Sequence, residues 1–359
     1  MPRVREVLEL DRYWRLPTGP RNSISDVGGV RVGHVTLVEG SGPLVPGRGP
    51  VRTGVTVVLP HEGNLYREKV LASALVINGF TKAMGLVQIE ELGTLETPIA
   101  LTNTLNVGLV ADGLVEYSIR TSPEIGVTAP TVNPVVLECN DGYLNDIQGR
   151  HVKQHHVLEA LGRASESFEE GSVGAGTGTI AFGFKGGIGT SSRVVTTSLG
   201  RFTVGVLVQS NFGRTEDLIV GGVPVGRYLA GLKGAGSSGS VNVVIATDAP
   251  LTPRQLRRVA RRAHIGLARV GGYTYHGSGE VVVAFTTAFK VRYRTGEYVD
   301  LRVLPDEELN EVFKGVAESV EEAVLNSMFS SRTMDGRDGR VVTQIPIDAV
   351  VGLLKGRYG

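Results

Sequence analysis

One serine in this 359-residue chain stands where chain cleavage would give it a base of its own. Ser240 ends the soft tract "GAGSSGS" and opens the hard apolar run "VNVVIAT" with no polar hinge between them. Glycine tolerates awkward backbone geometry, so the Gly239–Ser240 peptide can bend toward the serine hydroxyl. Attack of Ser240 Oγ on the Gly239 carbonyl, an N→O acyl shift and hydrolysis would cut the chain there. The new α-amine would lie beside its own hydroxyl, and its ordinary pKa of about 7.7–8.0 compares with about 10.4 for lysine. At pH 7.5 roughly a third of such amines are neutral, against about one lysine in a thousand. The cut would thus supply a usable general base, the logic of an N-terminal nucleophile. Read without chemistry, the same tract is a flexible Gly/Ser loop.

Other stretches invite chemistry and resolve more plainly. "GSVGAGTG" (Gly171 to Gly178) has the glycine density of a phosphate loop, but it follows an acidic helical segment and lacks a closing Gly-Lys-Ser/Thr, so a backbone-rich loop lining a cavity is the better reading. Its Gly171–Ser172 junction leads into more glycine, which could not hold a nucleophile still. The pair His155–His156 has no second cluster at ligand spacing, and Cys139, alone in an apolar strand, reads as a small buried side chain. "RQLRRVARRAH" interleaves Arg with Leu256, Val259 and Ala260, the pattern of a solvated helix face.

The elements that must position Ser240 follow from periodicity. "GVRVGHVTLVE", "GVTVVLP", "GTIAFGFKGGIGTSSRVVTTS", "RFTVGVLVQSNFG" and "GEVVVAFTTAFKV" predict strands. Helices are predicted over 104–120, from His155, over "TPRQLRRVARRAHIGLARVGG" with its Thr252 cap, first-turn Pro253 and terminal Gly, and over a long closing segment from Pro305. Strands cluster in pairs between helices, so the chain reads as α/β layers with mixed or antiparallel sheets, and no repeat or linker divides it: one domain, 1–359. The 49 glycines, spread through short connectors, call for tight turns and close backbone approaches.

Composition narrows the function. A net charge of +1 gives no electrostatic case for nucleic acid. The charged opening "MPRVREVLELDRYW" lacks the apolar core of a signal peptide and no stretch reaches bilayer length, so a cytoplasmic protein without a membrane partner is expected. One cysteine excludes an internal disulfide and a cysteine-rich metal site.

The ordered set "VGHVTL", "NGFTKAMGL", "EELGTLETPIALTNTLNVG", "NPVVLECNDGYLNDI", "GAGTGTIAFGFKGGIGTSSRVV", "TVGVLVQSNFG", "GVPVGR", "SGSVNVVIATDAPL" and "GSGEVVVAFTTA" resembles the DmpA-type aminopeptidases, a family of L-aminopeptidase/D-esterases and β-peptidyl aminopeptidases, from about Ser25 onward. The resemblance implies a four-layer αββα sandwich of the DmpA/ornithine acetyltransferase type. It also implies self-cleavage into fragments 1–239 and 240–359, and a homo-oligomer, expected as a tetramer. It places the nucleophile on Ser240, the Ser-x-Glu pair on Ser278 and Glu280, and an oxyanion donor on Asn211. Asn140 falls where relatives carry a tyrosine as second donor, Glu138 is a candidate partner for the substrate's amine, and Lys82 stands near where better-known members can carry an acid. The expected activity is that of an aminopeptidase or amidase releasing N-terminal residues from small peptides, amino-acid amides or esters through an acyl-enzyme, with no metal or cofactor. Two alternatives stay open: an acyltransferase of the ornithine acetyltransferase kind, which usually exposes threonine, and an uncut small-molecule-binding protein.

Overall fold

In a computed structural model of the chain, residues 1–358 are described except 9, 11, 12, 230, 232–238, 294, 295 and 297; of 356–358 only the backbone is described. The Gly/Ser tract up to Ser238 therefore lies outside the described residues, whereas Gly239 and Ser240 lie within them. Two sheets carry the fold. The smaller has order β1 (Arg31–Glu39), β2 (Val51–Leu59), β5 (Ile99–Asn103), β6 (Val135–Cys139). The larger has order β4 (Thr94–Leu95), β3 (Glu68–Gly79), β12 (Gly279–Arg292), β11 (Val241–Thr247), β10 (Gly200–Ser210), β9 (Gly187–Thr197). Pairing is antiparallel except β5 with β6 and β11 with β12, so both sheets are mixed. Two-stranded ribbons, β7 (Ile180–Ala181) with β8 (Phe184–Lys185) and β13 (Met334–Asp335) with β14 (Val341–Val342), complete the strands.

Strand alternation sorts side chains into layers. In β11, Val244 and Ala246 join Leu101 and Leu137 of the smaller sheet in an inter-sheet core, while Val241, Val243 and Ile245 turn the other way onto Leu256, Leu267 and Val320. Those last residues belong to α6 (Pro253–Ala260), α7 (Ala263–Arg269) and α8 (Leu309–Phe329), the helical layer over the larger sheet. On the outer face of the smaller sheet, Val35, Val57 and Ala100 pack against Leu114 and Val157 of α3 (Val107–Thr121) and α4 (Gln154–Gly162). The architecture is the expected α/β fold in four layers, helix, sheet, sheet, helix. Helices α1 (Val4–Val7), α2 (Leu86–Leu92), α5 (Gly226–Leu229) and α9 (Ile347–Tyr358) complete the described α-helices. Glycine sets how closely the layers meet: a Cβ on Gly189 of β9 would stand 1.9 Å from the Ala323 carbonyl oxygen of α8, and one on Gly33 of β1 would stand 2.0 Å from that of Ala160 of α4.

Two local expectations change. The single helix expected after Thr252 is broken between Ala260 and Ala263, because the Arg262 guanidinium donates to the Arg258 carbonyl at 3.0 Å and the Arg262 N–H turns instead to Val259 at 2.9 Å. The "GSVGAGTG" glycines form a buried 3-10 turn, Gly174–Gly176, pressed on β2, with the Ala175 N–H on Thr56 Oγ1 at 3.1 Å. Among the described residues no helix is long and apolar enough to cross a membrane.

Candidate active site

Every residue of β11 is buried, as a two-sided apolar strand in mid-sheet demands, and Ser240 enters it from the end where β10 stops and β12 starts. Val241 lies opposite Ser210 on one side and Glu280 on the other. Among the described residues three neighbours hold the serine. The Gly279 N–H donates to Ser240 Oγ at 3.1 Å, the Asn211 N–H donates to the Ser240 carbonyl at 3.0 Å, and the Cys139 thiol donates to the same carbonyl at 3.3 Å from the end of β6 in the facing sheet. The site therefore sits where the two sheets open at one end, with Ser240 6 % exposed. Burial and the carboxylates of Glu138 and Asp141 push the Cys139 thiol well up, so it is a neutral donor and no nucleophile.

Asn211 follows the last residue of β10. Its Oδ1 accepts from the Ile180 N–H at 2.9 Å and its Nδ2 donates to the Asn140 carbonyl at 3.1 Å, which fixes which end of the amide is which. Nδ2 keeps a second hydrogen and lies beside Gly239. Asn140 thus acts here through its backbone; its exposed side chain accepts from the Gly142 N–H at 2.9 Å within its own turn. Asn242 Nδ2 reaches across to the Glu138 carbonyl and to Gln209 Oε1, both at 2.9 Å, while Gln209 Nε2 donates to Thr102 and Ala175. These buried amides clamp the two sheets under the site.

Two buried carboxylates belong to the chain neighbours of the residues that touch Ser240, Glu280 next to Gly279 and Glu138 next to Cys139, one from each sheet. Glu280 is 2 % exposed and accepts from Ser278 Oγ at 3.0 Å and Thr274 Oγ1 at 2.9 Å. Glu138 is 1 % exposed and accepts from the Lys82 N–H at 3.0 Å, from Thr81 Oγ1 at 3.2 Å and from Thr104 Oγ1. Among the described residues no lysine or arginine pairs with either carboxylate. Buried carboxylates are ordinarily matched by cations, so hydroxyl and amide partners alone leave this site built to receive positive charge. The Lys82 ammonium is not that charge: its side chain is exposed and lies 4.5 Å from the centre of the Phe80 ring, and only its backbone faces Glu138.

Ser278 and Glu280 meet Ser240 through the Gly279 N–H between them, and their side chains engage each other and Thr274. Sequence reasoning missed Thr81, Thr104, Thr274 and the amide clamp; the signal available was Gln209 and Asn242, polar residues inside otherwise apolar strands. Ser172, the rival serine, is tied to the backbone of Arg332 in a different loop. The His155 and His156 rings meet at a tilt of 52° with centroids 3.9 Å apart at the start of α4 and take no part in this arrangement.

The model of peptidase family S58 matches residues 22–342. The β-peptidyl aminopeptidase BapA of Sphingosinicella microcystinivorans is 41% identical over 355 residues, covering 94% of this chain and 88% of that protein. The crystal structure of the PH0078 protein from Pyrococcus horikoshii OT3 superposes with a TM-score of 0.93 at 57% identity, over 96% of both chains. The L-aminopeptidase D-Ala-esterase/amidase of Ochrobactrum anthropi, described as a prototype serine aminopeptidase and a new variant among the Ntn hydrolase fold, superposes with a TM-score of 0.89 at 36% identity over the whole of both chains.

Proposed function

The chain belongs to peptidase family S58 and is an aminopeptidase, and from that premise we propose that it cuts itself between Gly239 and Ser240 and then works through the Ser240 hydroxyl and the α-amine the cut releases. The observation that carries this reading is the pair of buried carboxylates, Glu280 and Glu138, next in sequence to the Gly279 and Cys139 that hold Ser240, neither of them paired with a lysine or arginine among the described residues. The chemistry brings two ammonium groups to this place, one on the enzyme's new terminus and one on the substrate. Glu280, on the strand beside Ser240, suits the first; Glu138, in the facing sheet, suits the second.

In this mechanism the substrate's free amine docks on Glu138, with Thr81, Thr104 and the Lys82 N–H holding the carboxylate in place. Ser240 Oγ attacks the acyl carbon while its α-amine takes the hydroxyl proton. Asn211 Nδ2 donates its second hydrogen to the developing oxyanion, an interaction whose loss typically costs about 10²–10³ in rate. The protonated α-amine returns its proton to the leaving amine, and water activated by the same amine resolves the acyl-enzyme. Small peptides, amino-acid amides and esters fit, since recognition lies at the amine end. The proposed homo-oligomer has apolar surface to cover around α2, where Val87 is 81% exposed and Leu92 64% exposed. Its subunit number is measured by light scattering.

Intact-mass measurement of purified protein, N-terminal sequencing of the smaller fragment and turnover of a panel of amino-acid p-nitroanilides test the reading together. Fragments 1–239 and 240–359, a terminus reading Ser-Val-Asn-Val and hydrolysis of unblocked substrates alone are expected. A single uncut chain with full activity would sink it.

A further inference from the structure

The loop before β12 contains a residue in the wrong conformation for its type. Thr274 has φ +53°, in the left-handed region that β-branched residues avoid. The loop is otherwise rich in glycine, with Gly271 at φ +92° and Gly272 and Gly277 nearby, and position 274 nonetheless carries threonine. Its hydroxyl explains the exception. Oγ1 donates to Glu280 Oε2 at 2.9 Å while Ser278 Oγ donates to Oε1 at 3.0 Å, so each carboxylate oxygen has one hydroxyl donor. With its only hydrogen committed, Oγ1 meets His264 Nε2, 3.3 Å away on α7, as an acceptor. The backbone is held in this strained shape from several sides: Tyr275 Oη donates to Asp217 Oδ2 at 2.6 Å, the Arg214 guanidinium lies 4.2 Å from the centre of the Tyr275 ring, and the two hydrogens of Asn78 Nδ2 are shared among the carbonyls of Tyr275, His276 and Ser278.

We propose that Thr274 is a positioning residue of the catalytic machinery: its hydroxyl, oriented by His264, fixes the Glu280 carboxylate in the rotation that serves the Ser240 terminus, and the strained backbone is retained for that contact. The inference rests on the role of Glu280 given above. Without Thr274 the carboxylate keeps only Ser278 and can turn about its last bond, so the charge facing the ammonium is no longer set.

Three variants test it, with kcat counted per cut chain from intact mass. Thr274→Val removes the hydroxyl and keeps the shape; kcat is expected to fall about tenfold with KM within about twofold, the split of an interaction that matters at the reacting centre and not in substrate docking. Thr274→Ser restores the hydroxyl and is expected to recover kcat to within about threefold. Thr274→Gly suits the positive φ, so it is expected to melt no lower than wild type and still to lose about tenfold in kcat, which a purely structural role would not produce. This variant decides the matter if the valine variant does not fold. Wild-type kcat in Thr274→Gly or Thr274→Val, with Glu280→Gln impaired at least tenfold, overturns the proposal. Wild-type kcat in Glu280→Gln overturns the assignment of Glu280 itself and so separates the two failures.

Discussion

Gly239 lies flat against Asn211: a Cβ built on the glycine would stand 1.9 Å from the Asn211 carbonyl oxygen and 2.5 Å from its Nδ2. The residue before the proposed nucleophile and the proposed oxyanion donor thus share one space, and no side chain fits between them. The same carbonyl-stabilising amide is at hand when the Gly239 peptide is attacked and when a substrate is. Gly239→Ala is expected to slow self-cutting at least tenfold, because Asn211 cannot yield while Ile180 and Asn140 hold both ends of its amide. Fragment appearance on a denaturing gel over time measures this; cutting at the wild-type rate would show that the contact is not used.

Ser240→Ala is expected to give one uncut chain of 38.1 kDa without hydrolytic activity, since one hydroxyl serves both steps. Ser172→Ala is expected to cut and turn over like the wild type, because Ser172 is tied to the Arg332 backbone. Mass spectrometry of both variants decides between the two Gly-Ser junctions.

Glu138→Gln removes a buried negative charge and keeps the shape that Thr81, Thr104 and Lys82 hold. KM for an unblocked aminoacyl p-nitroanilide is expected to rise at least tenfold, with kcat changed less, as befits a group that binds the amine equally in ground and transition states. A kcat loss at constant KM would move Glu138 from docking to the chemical step.

Asp141, next to the carbonyl that anchors Asn211, carries the pH signature. Burial pushes its carboxyl up to about 7, against hydrogen bonds from Thr53 and Asn145 and the charge of Lys185, which pull it down. Between about pH 4 and 7 the folded chain therefore binds a proton that the unfolded chain has released, and this contribution to stability falls as pH rises through that window. Asp141→Asn cannot titrate, so its melting temperature is expected to gain on the wild type from pH 4 to pH 7 and to keep a constant offset above that. Melting curves of both proteins across the range measure the difference; parallel curves would show that Asp141 is charged throughout.

Much of the site was legible because its chemistry is local in sequence. Ser240 announces itself by the abrupt change from glycine and serine to β-branched residues, whereas Ser278 and Glu280 are reached through the family resemblance, and their place at a strand start accords with it. β11, β10 and β12 follow from alternation. β3 does not stand out in the sequence because "EKVLASALVING" is rich in alanine and leucine, which suit helix and strand alike; its place between β4 and β12 is a tertiary decision. The Asn140 carbonyl that anchors the Asn211 amide, the hydroxyls on Glu138 and the Thr274 contact lie beyond reach for the same reason. Thr104 meets Glu138 across 34 residues and Asn211 meets Asn140 across 71, and nothing in either neighbourhood encodes the other. Asn140 illustrates the limit further, since the contact it makes to Asn211 comes from its carbonyl, which every residue type possesses.

The strand order of the larger sheet makes the proposed scission a certificate of completion. β11 and β12 lie between β3 and β10, so two strands made late in synthesis occupy the middle of a sheet whose flanks were made earlier. The Gly279 N–H on Ser240 Oγ, the Asn211 N–H on the Ser240 carbonyl and the Cys139 thiol beside it come together only when those strands have been inserted and the second sheet has docked. On that proposal a truncated or misassembled chain would keep its backbone whole and leave Ser240 without a base. Nascent chains ending before residue 279 should remain whole, and the enzyme would arm itself only as a finished molecule, proofread by its own architecture.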